Sequence, residues 1–241
     1  MLHYPPEELK AGKINIFDHL SEILPKEGAA IGIFTMQNGI MTSSKEFHRM
    51  CTETASKLPE QPFLMGIYNP SKGFIIDVGR TLLEKVGFDT AIVRQTRQII
   101  SAISEILPNI NPEMLWAHIC HSEGGIIGKR AFKGLDHDER SRLRKHLITI
   151  GIAPAAPISR KYTLDAVNVY SEKDHVTKGF ASSYVNDPNY DIRFVPCITP
   201  PNERGFFSGD HAFSGDTYQS EIMMQMNEMR KNYGVYDAKT R

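Results

Sequence analysis

Cysteine is scarce in this chain of 241 residues: there are 3, Cys51, Cys120 and Cys197, with no C-x-x-C spacing among them. That argues against a disulfide framework or a zinc knuckle and fits a reducing compartment. Net charge is also lacking. Lys+Arg and Asp+Glu both number 28, so no overall field points to nucleic acid or an anionic membrane as partner. No window approaches the roughly eighteen apolar residues that a membrane span needs. The opening MLHYPPEELKAGKINIFDHL has none of the basic, apolar, small-residue succession of a cleaved signal. The expectation is a protein with no transmembrane segment, cytoplasmic by default, with export that needs no cleaved signal left open.

What is present is a set of short β-branched runs bounded by turn residues. They are AAIGIFTM (Ala29–Met36), FLMGIYN (Phe63–Asn69), LWAHICH (Leu115–His121), HLITIGIAPA (His146–Ala155), DAVNVYS (Asp165–Ser171) and IRFVPCI (Ile192–Ile198). Most are apolar nearly throughout rather than alternating, as strands covered on both faces of a parallel sheet should be.

Amphipathic patterns separate most of these runs. Ser44–Leu58 follows the caps Ser43 and Ser44, and Gly73–Val86 comes next. Thr90–Leu107 is expected to end at Pro108, Gly124–Phe132 follows the third strand, and Asp216–Tyr233 is a Met-rich final helix. The alternation predicts an α/β three-layer sandwich around a mostly parallel sheet of about six strands. Residues 28–241 read as one domain, with 1–27 a segment packed on it. The methionines of the last helix face the core or pair with another subunit or a larger chain.

In such a sheet the functional groups sit on loops beyond the carboxyl ends of the strands. The third of those loops reads Cys120-His121-Ser122-Glu123-Gly124-Gly125. A nucleophile elbow requires a sharp strand-to-helix turn, with small residues two before and two after the serine. Gly124 fills the second position and Cys120 the first, where glycine is usual. Gly125 completes the elbow sequence. Alternatively, Ser122 simply caps the helix that follows, with Gly124-Gly125 easing close packing of helix on strand.

A serine nucleophile needs a base and an orienting acid, because a neutral hydroxyl attacks a carbonyl poorly. After the fifth strand comes Ser171-Glu172-Lys173-Asp174-His175-Val176, and after the sixth a Gly/Ser/Asp-rich loop whose one histidine is His211. Ser122, Asp174 and His211 thus follow the chain order this architecture demands. Asp174 is equally placed to cap a helix, and a lone histidine is often just solvated.

One oxyanion donor would be the backbone N–H of Glu123. The second would come from the loop after the first strand, Thr35-Met36-Gln37-Asn38-Gly39-Ile40. Gln37, Asn38 and Gly39 all stay open as its source, and so does an ordinary Asn-Gly turn. The loop Tyr68-Asn69-Pro70-Ser71-Lys72-Gly73-Phe74 borders the same rim. Asn69, Lys72 and Phe74 are its pocket candidates, set against a plain strand-to-helix turn. No His/Asp/Glu spacing calls for a metal.

From Ala29 onward the chain resembles the α/β-hydrolase superfamily, through the elbow CHSEGG, the acid in SEKDHV and the histidine in SGDHAF. Together with NGI after one strand and YNPSKGF after the next, it is also similar to a group of uncharacterised hydrolase-like proteins of chlamydiae. The resemblance implies a Ser–His–Asp triad: Ser122 as nucleophile, His211 as base and then acid, Asp174 orienting the imidazole. It implies no metal or organic cofactor, and a small-molecule or acyl substrate. The chain departs from the family in Cys120, in lacking evident first hairpin strands, and in having no long lid insertion between the fourth and fifth strands. An esterase, thioesterase or acyl-protein hydrolase suits that outline better than an interfacial long-chain lipase.

Two other readings compete. A non-catalytic interaction module could keep the scaffold, given the imperfect elbow and the acidic Glu123 beside the serine. A cysteine nucleophile, Cys120 or Cys197, could be served by His118, His121 or His211, although an inert buried thiol is the plainer identity for both.

Overall fold

A computed structural model describes residues 31–40, 42–58, 63–70, 89–175, 178–200 and 210–233. The segment 1–27, the pattern Gly73–Val86, and the rim candidates Lys72 and Phe74 lie outside the described residues.

Strand β1 (Ile31–Gln37) leads to helix α1 (Ser44–Lys57), β2 (Phe63–Ile67) and α2 (Ala91–Ile110). Next come β3 (Leu115–His121), α3 (Glu123–Lys133), α4 (His137–His146) and β4 (Leu147–Ile152). The chain continues with β5 (Asp165–Ser171), the short α5 (Lys178–Ala181), β6 (Asp191–Val195) and α6 (Asp216–Tyr233). The six strands form one sheet in the order β2-β1-β3-β4-β5-β6, with every pairing parallel. This is an α/β-hydrolase-like fold.

Each face of the sheet has its own core. Phe34, Met36, Ala117, Ile119, Ile150 and Val169 pack with residues of α1 and α6. Ile33, Trp116, Cys120, Leu147 and Ala166 pack with α2, α3 and α4. Successive side chains of a strand point to opposite faces, which is why runs such as LITIGI are apolar throughout. Helix α6 contributes Tyr218, Ile222, Met226 and Met229, spaced at helical intervals and all buried. Full burial of one such aliphatic side chain stabilises by about 2 kcal/mol. Met224, on the other side of this helix, is exposed.

Several boundaries differ from the sequence expectation, and three of them have a local cause. Helix α2 runs through Pro108 to Ile110, and the N–H of Asn111 closes it on the carbonyl of Leu107. A proline in the last turn removes one hydrogen bond without ending the helix. Strand β4 stops at Ile152 because Ala153 takes φ 44°, and Pro154 follows. Strand β6 stops at Val195 because Pro196 has no N–H to donate.

Consecutive strands run β1 to β2 on one side of β1, and the chain then returns to place β3 on its other side. Ligand crevices of open α/β sheets form at such a reversal, outside the carboxyl ends of the strands. The loops after β1 and β3 meet there.

Candidate active site

The turn from β3 into α3 is sharp. Ser122 occupies the N-cap position of α3 with φ 52° and ψ −120°, and its side chain makes no capping bond. A non-glycine residue held there carries strain of order 1–3 kcal/mol, which only a well-determined surrounding can hold. That surrounding is backbone. The Ser122 carbonyl accepts the N–H of Gly125 at 3.0 Å and of Ala155 at 2.8 Å, while its own N–H reaches Ile152 O at 3.3 Å.

Two glycines make the close approach possible. A Cβ on Gly124 would lie 2.8 Å from the carbonyl oxygen of Gln37. A Cβ on Gly39 would lie 2.6 Å from Ser122 Cβ and 3.1 Å from its Oγ. The loop after β1 therefore rests directly on the serine. Gly125 packs against Pro154. Cys120 is fully buried in the sheet, in register with Gly151, which has no side chain to compete on that face.

The serine hydroxyl meets a histidine from far along the chain. His211 Nε2 lies 3.0 Å from Ser122 Oγ, and His211 Nδ1 lies 2.8 Å from Asp174 Oδ2. A carboxylate can only accept, so Nδ1 carries the proton and Nε2 accepts from the hydroxyl. The His211 side chain is 19 % exposed and the Asp174 side chain 0 %. Asp174 lies just beyond β5, and its N–H returns to Ser171 O at 3.0 Å.

Buried polar groups hold the loops behind the elbow. The Asn38 amide donates to the backbone oxygens of Gly39 and Asn69, both at 2.9 Å, and its Oδ1 accepts the Asn69 N–H at 2.7 Å. Asn69, expected at the rim, is fully buried, and its amide donates to the Glu123 carboxylate. Gln37 closes β1, and its amide donates to Thr96 of α2 at 2.9 Å. With both side chains engaged elsewhere, the Asn38–Gly39 backbone is the part of this loop that faces the serine. The acidic Glu123 side chain, 1 % exposed as a residue, is taken up by Asn69.

His121 lies behind His211. Its Nε2–H donates to the backbone oxygen of His211 at 2.9 Å, and its ring lies 5.0 Å from the His211 ring and 5.6 Å, edge-on, from Phe213. Burial first, and the neighbouring His211 second, push its pKa down to about 3, so the ring stays neutral. His118 lies deeper, at 2.8 Å from the Thr35 hydroxyl, which also accepts the Trp116 indole N–H at 2.8 Å. Burial lowers its pKa to about 4. Both side chains serve the fold near the site.

Burial also raises the Cys120 thiol to about 12, so it keeps its proton and is a poor nucleophile. Among the described residues no group of His, Cys, Asp and Glu is arranged to hold a metal, and no helix is long and apolar enough to cross a membrane.

One contact escaped the sequence reading entirely. Tyr218 of α6 is fully buried, and its hydroxyl lies 2.9 Å from Asp174 Oδ2. Its position three residues into a helical pattern reads as core, and only long-range packing reveals the polar end.

By sequence the chain matches no family model and no curated protein. Its fold has counterparts among solved structures. An α/β serine hydrolase without a lid from Xanthomonas campestris is 12% identical, with TM-score 0.48 over 87% of this chain and 86% of that one. An uncharacterized protein from Bacillus cereus is 9% identical, with TM-score 0.50 over 86% of this chain and 61% of that one. An acetylxylan esterase is 14% identical, with TM-score 0.47 over 86% of this chain and 100% of that one. These likenesses concern the fold alone.

Proposed function

We propose that the protein is a serine hydrolase that cleaves a small carboxylic ester or thioester through an acyl-enzyme. The observation that carries the reading is the hydrogen-bonded row Ser122–His211–Asp174, drawn from three separate loops at strand ends. The strained backbone at Ser122 supports it as well, because strain of that kind persists where function requires a side chain to be presented. A non-catalytic module would need neither the 3.0 Å approach of imidazole to hydroxyl nor that strain.

In this reading Ser122 Oγ attacks the carbonyl carbon while His211 Nε2 takes the hydroxyl proton. The tetrahedral oxyanion is received by the N–H of Glu123, at the N-terminus of α3, and by backbone N–H of the Asn38–Gly39 turn. Collapse expels the alcohol or thiol, protonated by His211, and leaves Ser122 acylated. Water then attacks with His211 again as base and releases the acid. Asp174 keeps the imidazole in the Nδ1–H form throughout. The connection between β4 and β5, residues 153–164, is short and carries no lid helix, which favours small or exposed esters over long buried acyl chains.

The test is labelling with a fluorophosphonate probe and turnover of p-nitrophenyl acetate and butyrate. Wild type should label and turn over, and Ser122→Ala and His211→Ala should do neither above background. Equal behaviour of wild type and Ser122→Ala would sink the proposal.

A further inference from the structure

The hydroxyl of Tyr218 sits between two groups whose hydrogen-bonding roles are fixed. It lies 3.1 Å from the backbone N of Ser171, which can only donate, and 2.9 Å from Asp174 Oδ2, which can only accept. The phenol must therefore accept from Ser171 and donate to Asp174. The oxygen it reaches, Oδ2, is the same one that receives His211 Nδ1–H at 2.8 Å. A hydroxyl that already accepts an N–H is polarised into a better donor.

Tyr218 also belongs to the chain segment that carries the base. From His211 the chain turns back tightly, with Gly215 N–H on Ala212 O at 2.9 Å and Tyr218 N–H on Gly215 O at 3.1 Å. Thr217, the preceding residue, is fastened separately: its Oγ1 accepts the N–H groups of Ile198 at 3.0 Å and Thr199 at 3.1 Å. The anchoring of α6 to the strand ends is thus already supplied. The Tyr218 hydroxyl reaches past that anchor to the carboxylate.

We propose that Tyr218 is a positioning residue, a fourth member of the Ser122–His211–Asp174 row that sets the direction and proton affinity of the Asp174 carboxylate. The inference rests on the serine-hydrolase reading above. A second donor on Oδ2 spreads the carboxylate's negative charge over two bonds, so the imidazole's N–H is held in place without the protonated imidazole being held too tightly. Burial first, and then the Asp174 charge, raise the phenol's own pKa, so it keeps its proton throughout the working range. The other titratable groups at this cluster are His211, neutral His121, Tyr170 of β5, whose pKa is raised by burial first and by the Asp174 charge as well, and Asp210, whose charge also bears on the phenol.

The experiment compares kcat and KM for p-nitrophenyl butyrate, as functions of pH, in wild type, Tyr218→Phe, and a protein carrying 3-fluorotyrosine at 218. Tyr218→Phe keeps the ring and loses the donor. The carboxylate then holds the imidazolium more strongly, so the acid limb of kcat/KM moves to higher pH, and kcat falls about tenfold with KM unchanged. Fluorotyrosine, a stronger donor of nearly the same size, moves the acid limb to lower pH. Opposite displacements support the proposal. Two unshifted profiles overturn it, whatever happens to rate or melting temperature, and leave a purely structural tyrosine. Should Tyr218→Phe fail to fold, the fluorotyrosine profile decides alone. Failure of the parent reading is separate: wild type itself would show no Ser122-dependent labelling, and both would fall.

Discussion

The two halves of the site are built by different means. The serine half is made of backbone within a short stretch. Ser122 is fixed by the bonds of its own N–H and carbonyl, and by two glycine surfaces that let Gln37, Asn38 and Gly39 approach. The His211 half is made of side chains that meet from distant parts of the chain, with His211 Nδ1 and the Tyr218 hydroxyl converging on one Asp174 carboxylate oxygen. In the proposed hydrolase a nucleophile must be presented at one angle, which backbone strain would secure. A proton carrier must be tuned, and side-chain hydrogen bonds can be added or removed one at a time.

Substituting the two halves should separate these roles. The largest effect belongs to Ser122→Gly, which should abolish hydrolysis, a loss on the order of 10⁴-fold or more in kcat/KM. It should also raise stability by about 1 kcal/mol, because glycine tolerates the positive φ that serine bears under strain. Urea unfolding measures this, and a clear loss of stability would mean that the elbow is not strained. Asp174→Asn should lower kcat about 10³- to 10⁴-fold, since the amide presents the imidazole with the wrong partner. It should also reduce stability by about 1–3 kcal/mol through poorly matched buried donors. Opposite signs in the unfolding midpoints of these two variants would establish the contrast, and equal signs would break it.

The smallest effect is on pH. Strand β3 carries His118 and His121, whose pKa values are depressed by burial to about 4 and about 3, against about 6.5 for an unfolded histidine. The unfolded chain thus binds more protons below that value. Stability from these groups is fully present above pH of about 6.5 and is lost as the pH falls toward the folded values, by on the order of a few kcal/mol at most. Unfolding midpoints measured between pH 7 and 4 should fall steadily in wild type, and the slope should flatten in His121→Phe. An equal slope in that variant would show that the β3 histidines do not carry the acid sensitivity.

The same division explains what could be read from the sequence. Strands β3 and β5 and helix α6 begin and end where the residue patterns place them, because β-branched runs against turn residues and helical apolar spacing are local signals. The serine could be singled out for the same reason, since CHSEGG holds its strand, turn and helix within a few residues. For Asp174 and His211 only type and chain order were legible. Their distances depend on how β5 and α6 pack, and the phenol of Tyr218 looks like any core aromatic until α6 is docked. Asn69 shows the converse. It stands at a strand end, where a rim residue belongs, yet the Asn38 amide clamps its backbone and Glu123 takes its side chain. Pro108 stands inside the helix it was expected to end, because it forgoes only its own bond to the preceding turn while the Asn111 N–H still closes on Leu107.

The neutral ring of His121 packed against His211 has a use in observing the protein in solution. Two aromatic rings 5.0 Å apart and tilted by 37° shift one another's proton resonances through their induced magnetic fields. The carbon-bound protons of the His211 imidazole therefore carry a signature of the closed arrangement. Any excursion that carries His211 away from Ser122 would relax those frequencies toward their free values, so the candidate site brings its own spectroscopic gauge of whether it is assembled.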